Sequence, residues 1–250
     1  MSISVIQSEP PQRGLVPPDP APPGRDWSHL PALRLPDAPA LRHRLPAAMP
    51  ALSAAAEQFD VLRTRVLGVT GKSGWSRIGV TQPRNRPAAA YAAANLAFSL
   101  ARRPSLRVVL ADLDLRFPRL TGMFGLDQGP DLGQALREGR DLRLAAGRFG
   151  DNLAFVGNAV ADPRSAETLQ EPGVAASVAR LVADLSPDVT LLLLPPILEG
   201  DAGLAGAGMA ETLLMVSDGT STVPSDLRQC DRLLDGGPPI LGVVLVDAER

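Results

Sequence analysis

The rhythm of hydrophobic and polar positions divides this chain into a tail and an alternating core. From Leu52, apolar residues fall three and four apart at Ala55, Phe59, Leu62 and Val66, a spacing that lines one face of a helix. Gly68 and the Gly71 to Gly74 stretch predict its end. Short continuous apolar runs then alternate with longer helical patterns. Strands are predicted over Arg77 to Thr81, Arg107 to Asp112, Asn152 to Gly157, Val189 to Leu194, Glu211 to Ser217 and Ile240 to Val246. Helices are predicted over Ala88 to Arg102, Pro118 to Phe124, Leu132 to Glu138, Ala166 to Leu185 and Ser225 to Leu234. Strands that are apolar on both faces, separated by helices, predict a three-layer α/β domain with a mostly parallel sheet and helices on both faces. Ligands of such sheets sit at the carboxyl ends of the strands. The loops after Thr81, Asp112 and Leu194 are therefore the places to look for chemistry.

Residues 1–50 carry no such rhythm and hold 12 of the 25 prolines. Such a stretch cannot bury enough surface to offset its ordering entropy, so a disordered or polyproline-like tail is predicted, followed by one domain over 51–250. Two apolar patches in the tail, Trp27 to Leu33 and Leu41 to Met49, are candidate docking segments. Apolar residues make up 45% of the chain but aromatics only 4%, so the core must be built from Leu, Val and Ala. A net charge of −2 gives no electrostatic reason to expect nucleic acid or an anionic membrane as partner. One cysteine, Cys230, and two histidines, His29 and His43, exclude a disulfide framework and argue against a metal centre. Without a signal-like start or a run of about 18 apolar residues, a cytoplasmic location is expected.

The loop after the first predicted core strand reads Gln82, Pro83, Arg84, Asn85, Arg86, Pro87, then Ala88, Ala89, Ala90 and Tyr91. A phosphate-binding loop at this place needs glycines that let backbone N–H groups turn inward, a lysine for the outer phosphate and a hydroxyl for Mg²⁺. No glycine occurs between Gly79 and Gly122, Pro83 and Pro87 lack an N–H, and the single lysine of the chain is Lys72. Gly71-Lys72-Ser73 mimics the end of such a loop, but a helix precedes it and a strand follows, the reverse of the required order. A turn is predicted there.

The flanking residues nevertheless resemble a known family. Arg77 to Thr81 with Ala92-Ala93-Ala94-Asn95-Leu96-Ala97 is similar to the strand and helix around the phosphate loop of bacterial tyrosine kinases of capsule and exopolysaccharide synthesis, in the MinD/ParA-like P-loop group. Val109 to Leu120, with Asp112 and Asp114, resembles that family's second aspartate motif. Glu57 to Thr64 looks like its oligomerisation helix, and Pro195-Pro196, Gly219-Thr220 and Leu241 to Leu245 follow in similar order. The resemblance spans roughly residues 52–246. By the same alignment the lysine position is Ala89, the metal-binding hydroxyl position Ala90, the third-motif aspartate position Leu193, and the base-contacting asparagine position Val246. The helix keeps Glu57 and Arg63 but has Asp60 at its first arginine position. Tyr91 is the sole tyrosine, so the family's tyrosine-rich tail has no counterpart here.

What the resemblance implies is a catalytically degenerate member: no intact catalytic set, no metal, and no ATP or other cofactor. Asp112 and Asp114 are expected as structural carboxylates, with Arg84 and Arg86 folding over the vacant site to neutralise them. The expected role is a non-catalytic accessory of envelope polysaccharide synthesis, with an inner-membrane polysaccharide co-polymerase as partner. Glu57 and Arg63 are the candidate surface for that contact or for a homo-oligomer. The alternative is an ATP-binding tyrosine kinase or MinD/ParA-like ATPase of divergent design.

Overall fold

The computed structural model describes residues 5–6, 27–49, 53–126 and 128–246. Its strands are β1 (Val5–Ile6), β2 (Arg77–Thr81), β3 (Val108–Asp112), β4 (Ala146–Phe149), β5 (Leu153–Val156), β6 (Val189–Leu193), β7 (Thr212–Asp218) and β8 (Ile240–Val246). They form one sheet in the order β1-β8-β7-β2-β6-β3-β5-β4. The run from β8 to β5 is parallel throughout, and the two edges, β1 and β4, are antiparallel. The helices are α1 (Pro39–Arg44), α2 (Ala54–Ser73), α3 (Ala88–Ala101), α4 (Leu120–Met123), α5 (Leu132–Arg137), α6 (Ser165–Gln170), α7 (Pro172–Leu185), α8 (Ala202–Ala207) and α9 (Pro224–Leu233).

Because successive strand residues point to opposite faces, the central strands supply two cores. Ile78, Val80, Leu110, Leu191 and Leu193 pack with Phe59 and Leu62 of α2 and with the alanines of α3. Val109, Ala111, Leu192, Leu213 and Met215 pack on the other side with Val174, Val178, Leu181 and Leu185 of α7. This is the expected three-layer α/β architecture. Gly79 permits the close approach at its centre: a Cβ there would lie 2.6 Å from Leu194 Cδ1 and 2.7 Å from Leu213 Cδ2.

Three expectations are corrected. The first helix passes Gly68 and includes Gly71-Lys72-Ser73, where a turn was expected, because its buried face continues through Val66 to Thr70, whose hydroxyl bonds the Val66 carbonyl at 2.9 Å. It ends at Gly74, where a φ of 70° places the residue in the left-handed region that glycine tolerates. The predicted helix Ala166 to Leu185 is two helices, α6 and α7, since Pro172 cannot continue α6 and instead opens α7. The tail also does not extend to residue 50. Residues 27–49 lie against the domain, with Trp27, Leu30, Leu41 and Leu45 buried. Buried Asn95 of α3 fastens this strap: its amide donates to Arg44 O at 3.0 Å and accepts from Ala47 N at 3.1 Å. Abundant prolines disguised a segment whose few large apolar residues are all used. Apart from Val5 and Ile6, the part of the predicted tail before residue 27 lies outside the described residues.

Candidate functional site

The carboxyl ends of β2, β3 and β6 converge, as the parallel plan requires. Residues 82–87 connect β2 to α3, and their backbone is tied to the chain after β6. Thr81 Oγ1 donates to Pro195 O at 2.7 Å, Ile197 N to Gln82 O at 3.0 Å, and Leu198 N to Pro83 O at 2.9 Å. Asn85 N donates to Glu199 Oε1 at 2.6 Å.

In phosphate-binding relatives of this fold, N–H groups in the first turn of the helix point at the anion. Here that turn is supplied from within. Gln82 is buried and its Oε1 accepts the N–H of Ala89 at 3.0 Å, while its Nε2 donates to the carbonyl of Arg86. One side chain thus caps α3 and closes the loop on itself, a task that Pro87 at the N-cap position cannot perform. Gln82 was within the suspected loop, but its capping role was not foreseen. The signal was present: it is the one uncharged amide that follows the strand immediately.

Ala89, Ala90 and Leu193, the positions at which the resemblance would place a lysine, a hydroxyl and a carboxylate, are 1%, 1% and 2% exposed and belong to the same apolar cluster. The three positions are therefore part of the core and not of an open site. Leu193 lies beside Val80 and Asp112 in the sheet register. Val246 is also buried, at the end of β8. Tyr91 packs edge-on against Phe59 of α2, and burial pushes its phenol up to about 12.

Asp112 ends β3 with no exposure at all. Its Oδ2 accepts from Leu120 N at 3.1 Å and Arg119 N at 3.3 Å, at the start of α4, whereas its Oδ1 has no hydrogen-bond partner. Burial outweighs the two N–H donors and pushes its carboxyl up to about 8, helped by the neighbouring Asp114. Asp114 is pushed up to about 7, again mainly by burial, with Phe117 N at 3.3 Å and the charges of Arg119 and Arg116 opposing.

Arg84 and Arg86 do not cover these aspartates, contrary to expectation. Arg84 forms a two-pronged pair with Asp226 of α9, Nε to Oδ2 at 3.1 Å and Nη2 to Oδ1 at 3.0 Å, which holds Asp226 below the usual carboxylate range. Arg86 reaches Ser221 Oγ at 3.2 Å and its own neighbour Asn85 O at 3.0 Å. The loop folds back as expected, but its cations leave sideways because a buried acid on α9 offers a better-defined partner. Arg119 takes the place next to the aspartates, with Nη2 2.5 Å from Asn85 Oδ1.

Glu57 and Arg63 are on α2, but they are not equivalent. Glu57 is exposed. Arg63 is turned inward, its Nη1 donating to Asp60 Oδ1 at 2.8 Å and to Ser99 O at 2.8 Å. Asp60 also takes Arg102 Nη1 at 3.0 Å and Ser99 Oγ at 2.6 Å. The carboxylate at the family's first arginine position thereby joins α2 to α3. Lys72 lies exposed in the last turn of α2, away from any phosphate loop.

Mg-ATP does not fit these residues. The N–H of Ala89 is taken by Gln82, the loop carries no lysine, and Ala89, Ala90 and Leu193 are packed into the apolar core, so none of them offers a cation, a metal-ligating hydroxyl or a carboxylate. Among the described residues no cluster of three metal-binding side chains occurs, and no helix is long and apolar enough to cross a membrane.

The sheet order, the helices on both faces and the loop-to-helix junction after β2 define a P-loop NTPase-like α/β fold. Its structural neighbours are bacterial tyrosine kinase domains together with MinD-type ATPases. The kinase domain of the Escherichia coli tyrosine kinase ETK superposes with a TM-score of 0.74 at 18% identity, covering 87% of this chain and 83% of that one. The chimerical protein CapA2B2 gives 0.72 at 18%, covering 81% and 89%. The cell division ATPase MinD of Pyrococcus furiosus gives 0.55 at 22%, covering 67% and 70%. No family model and no curated protein matches the chain.

Proposed function

We propose that this chain is a non-catalytic, kinase-like accessory of envelope polysaccharide synthesis and export, of the capsule, exopolysaccharide or holdfast-like kind. It acts by contact with the cytoplasmic end of an inner-membrane chain-length regulator and not by phosphoryl transfer. The observation that carries the reading is the apolar packing of Ala89, Ala90 and Leu193 where cation, metal ligand and carboxylate belong. Phosphoryl transfer depends almost wholly on positioning and charge stabilisation. Loss of one well-placed donor costs ~3 kcal/mol of barrier, and here several are absent together. A fold of this kind without those groups is consistent with a part that works through its surface.

The surface best suited to contact is the outer side of α2. Glu57, Val61 and Arg65 are exposed at successive i, i+4 positions, and Val61 is 54% exposed. Two measurements test the reading. Calorimetric titration with Mg-ATP at millimolar concentration should give no binding heat; saturable binding refutes it. Affinity capture of an inner-membrane chain-length regulator from the same organism should succeed with the native chain and fail with Val61→Asp; equal capture by both removes this surface from the proposal. A divergent nucleotide-binding enzyme is the alternative, favoured by one observation: the partnerless buried Oδ1 of Asp112.

A further inference from the structure

At the opposite end of the sheet from the degenerate loop, a small cavity of about 160 Å³ lies between Trp27, Arg107 and Arg148, with Ser28 and Asp151 completing the lining. Three separate parts of the chain build it. Arg107 immediately precedes β3, Arg148 lies in β4, and Trp27 begins the strap. The strap is held in place by its backbone: Arg148 N donates to Pro31 O at 2.8 Å, Leu33 N donates to Arg148 O at 2.7 Å, and the Trp27 indole N–H donates to Leu185 O at 3.0 Å. The Arg107 guanidinium lies over the indole ring, 5.1 Å from its centroid.

Both arginines carry buried N–H groups with nothing to bond. Arg107 Nη1 and Arg148 Nε are buried and without a hydrogen-bond partner. Guanidinium groups stay charged at every physiological pH, and a buried N–H left unmet is costly. Two such groups on one small cavity indicate a missing acceptor. The nearby acids do not supply it. Among the described residues, fully exposed Asp151 meets Arg148 Nη1 at 3.3 Å, an N–H group that also donates to Gly150 O at 2.6 Å, while Asp188 Oδ2 takes the Arg107 backbone N–H at 2.7 Å.

We infer that this cavity is a binding site for a small tetrahedral oxyanion, a phosphate group held between Arg107 and Arg148 against the indole of Trp27. The volume accommodates several water-sized groups but is below the roughly 300 Å³ at which sites for drug-sized ligands begin. The inference is independent of the proposed function, since it uses no residue of the loop after β2.

The test is a titration of the full chain carrying Trp75→Phe, which leaves Trp27 as its one indole, with inorganic phosphate at constant ionic strength. A saturable change in Trp27 emission that chloride does not reproduce is expected, weakened at least about ten-fold in Arg107→Gln and in Arg148→Gln. Arg84→Gln should leave it unchanged. Phosphorus NMR of the unsubstituted chain provides a second reading that needs no arginine variant to fold: saturable broadening of the phosphate line supports the site. Absence of saturable binding in both measurements, or unchanged affinity in folded arginine variants, overturns it. Methyl phosphate competing equally identifies a phosphomonoester as ligand; failure to compete identifies free phosphate.

Discussion

Asp112→Asn offers the sharpest check on the electrostatics of the vacant site. Asn has the shape of the neutral acid and can accept the same N–H groups of Arg119 and Leu120. In the folded chain the carboxyl is pushed from an ordinary value of 3.8 up to about 8. The folded state therefore holds a proton that the unfolded chain has released over the interval from about pH 4 to about pH 8. The associated stability is complete at the acid end and is lost as pH rises through that interval, at about 1.4 kcal/mol per pH unit. The whole interval amounts to on the order of 5 kcal/mol, a large share of a domain's typical stability. The Asn variant carries none of this dependence. Urea unfolding of both chains at about pH 5.5 and about pH 9 should show the variant gaining about 3 kcal/mol on the native chain between the two conditions. That corresponds to a relative midpoint shift of about 1 M or more. An identical difference at both pH values would falsify the buried, proton-holding state and restore Asp112 as an ordinary carboxylate available to a cation.

Other outcomes follow from single contacts. Gln82→Ala removes the acceptor for Ala89 N–H and should cost about 1 kcal/mol in urea unfolding, without creating Mg-ATP binding in calorimetry. Ala89→Lys with Ala90→Thr should likewise fail to bind Mg-ATP, because Pro83 and Pro87 still supply no N–H; binding by this variant would show the loop backbone to be competent after all. Asn95→Leu strands the buried Ala47 N–H and Arg44 carbonyl and should destabilise by about 2–4 kcal/mol, with the strap exchanging its amide hydrogens faster than the sheet. Arg84→Gln releases the loop from α9, which should appear as faster proteolysis within residues 82–87 at unchanged global stability.

Much of the fold was legible because it depends on local pattern. The strands around the site, β2, β3 and β6, read as continuous apolar runs, and a run apolar on both faces has few stable places other than the middle of a covered sheet. The residue types at the suspected site were equally legible. Ala89, Ala90 and Leu193 lack the atoms that the chemistry requires wherever the fold puts them. What pattern could not supply was pairing. Arg84 and Arg86 were expected on Asp112 and Asp114 because arginines stand where a phosphate loop would carry glycines, but Asp226, 142 residues away, takes Arg84. The strap was hidden by an average, since 12 prolines outweighed the few apolar residues that make the contact. Arg63 was read as surface because helical spacing does not tell which polar residue on a boundary face turns inward to meet Ser99.

The sequence alone determined the class of architecture, the position of the glycine-free loop after β2 and the absence of a lysine from it, since each follows from residue identity and order. The tertiary structure decided how the loop after β2 is held: by the Gln82 amide at the head of α3, by aliphatic packing beside Asp112, and by a salt bridge that draws Arg84 to α9. It also decided that the strap and β4 bring Arg107 and Arg148 to one cavity. The physical reason is that hydrophobic periodicity is a property of neighbours along the chain. Hydrogen bonds and charge pairs, by contrast, are satisfied between whatever groups the folded chain brings within about 3 Å.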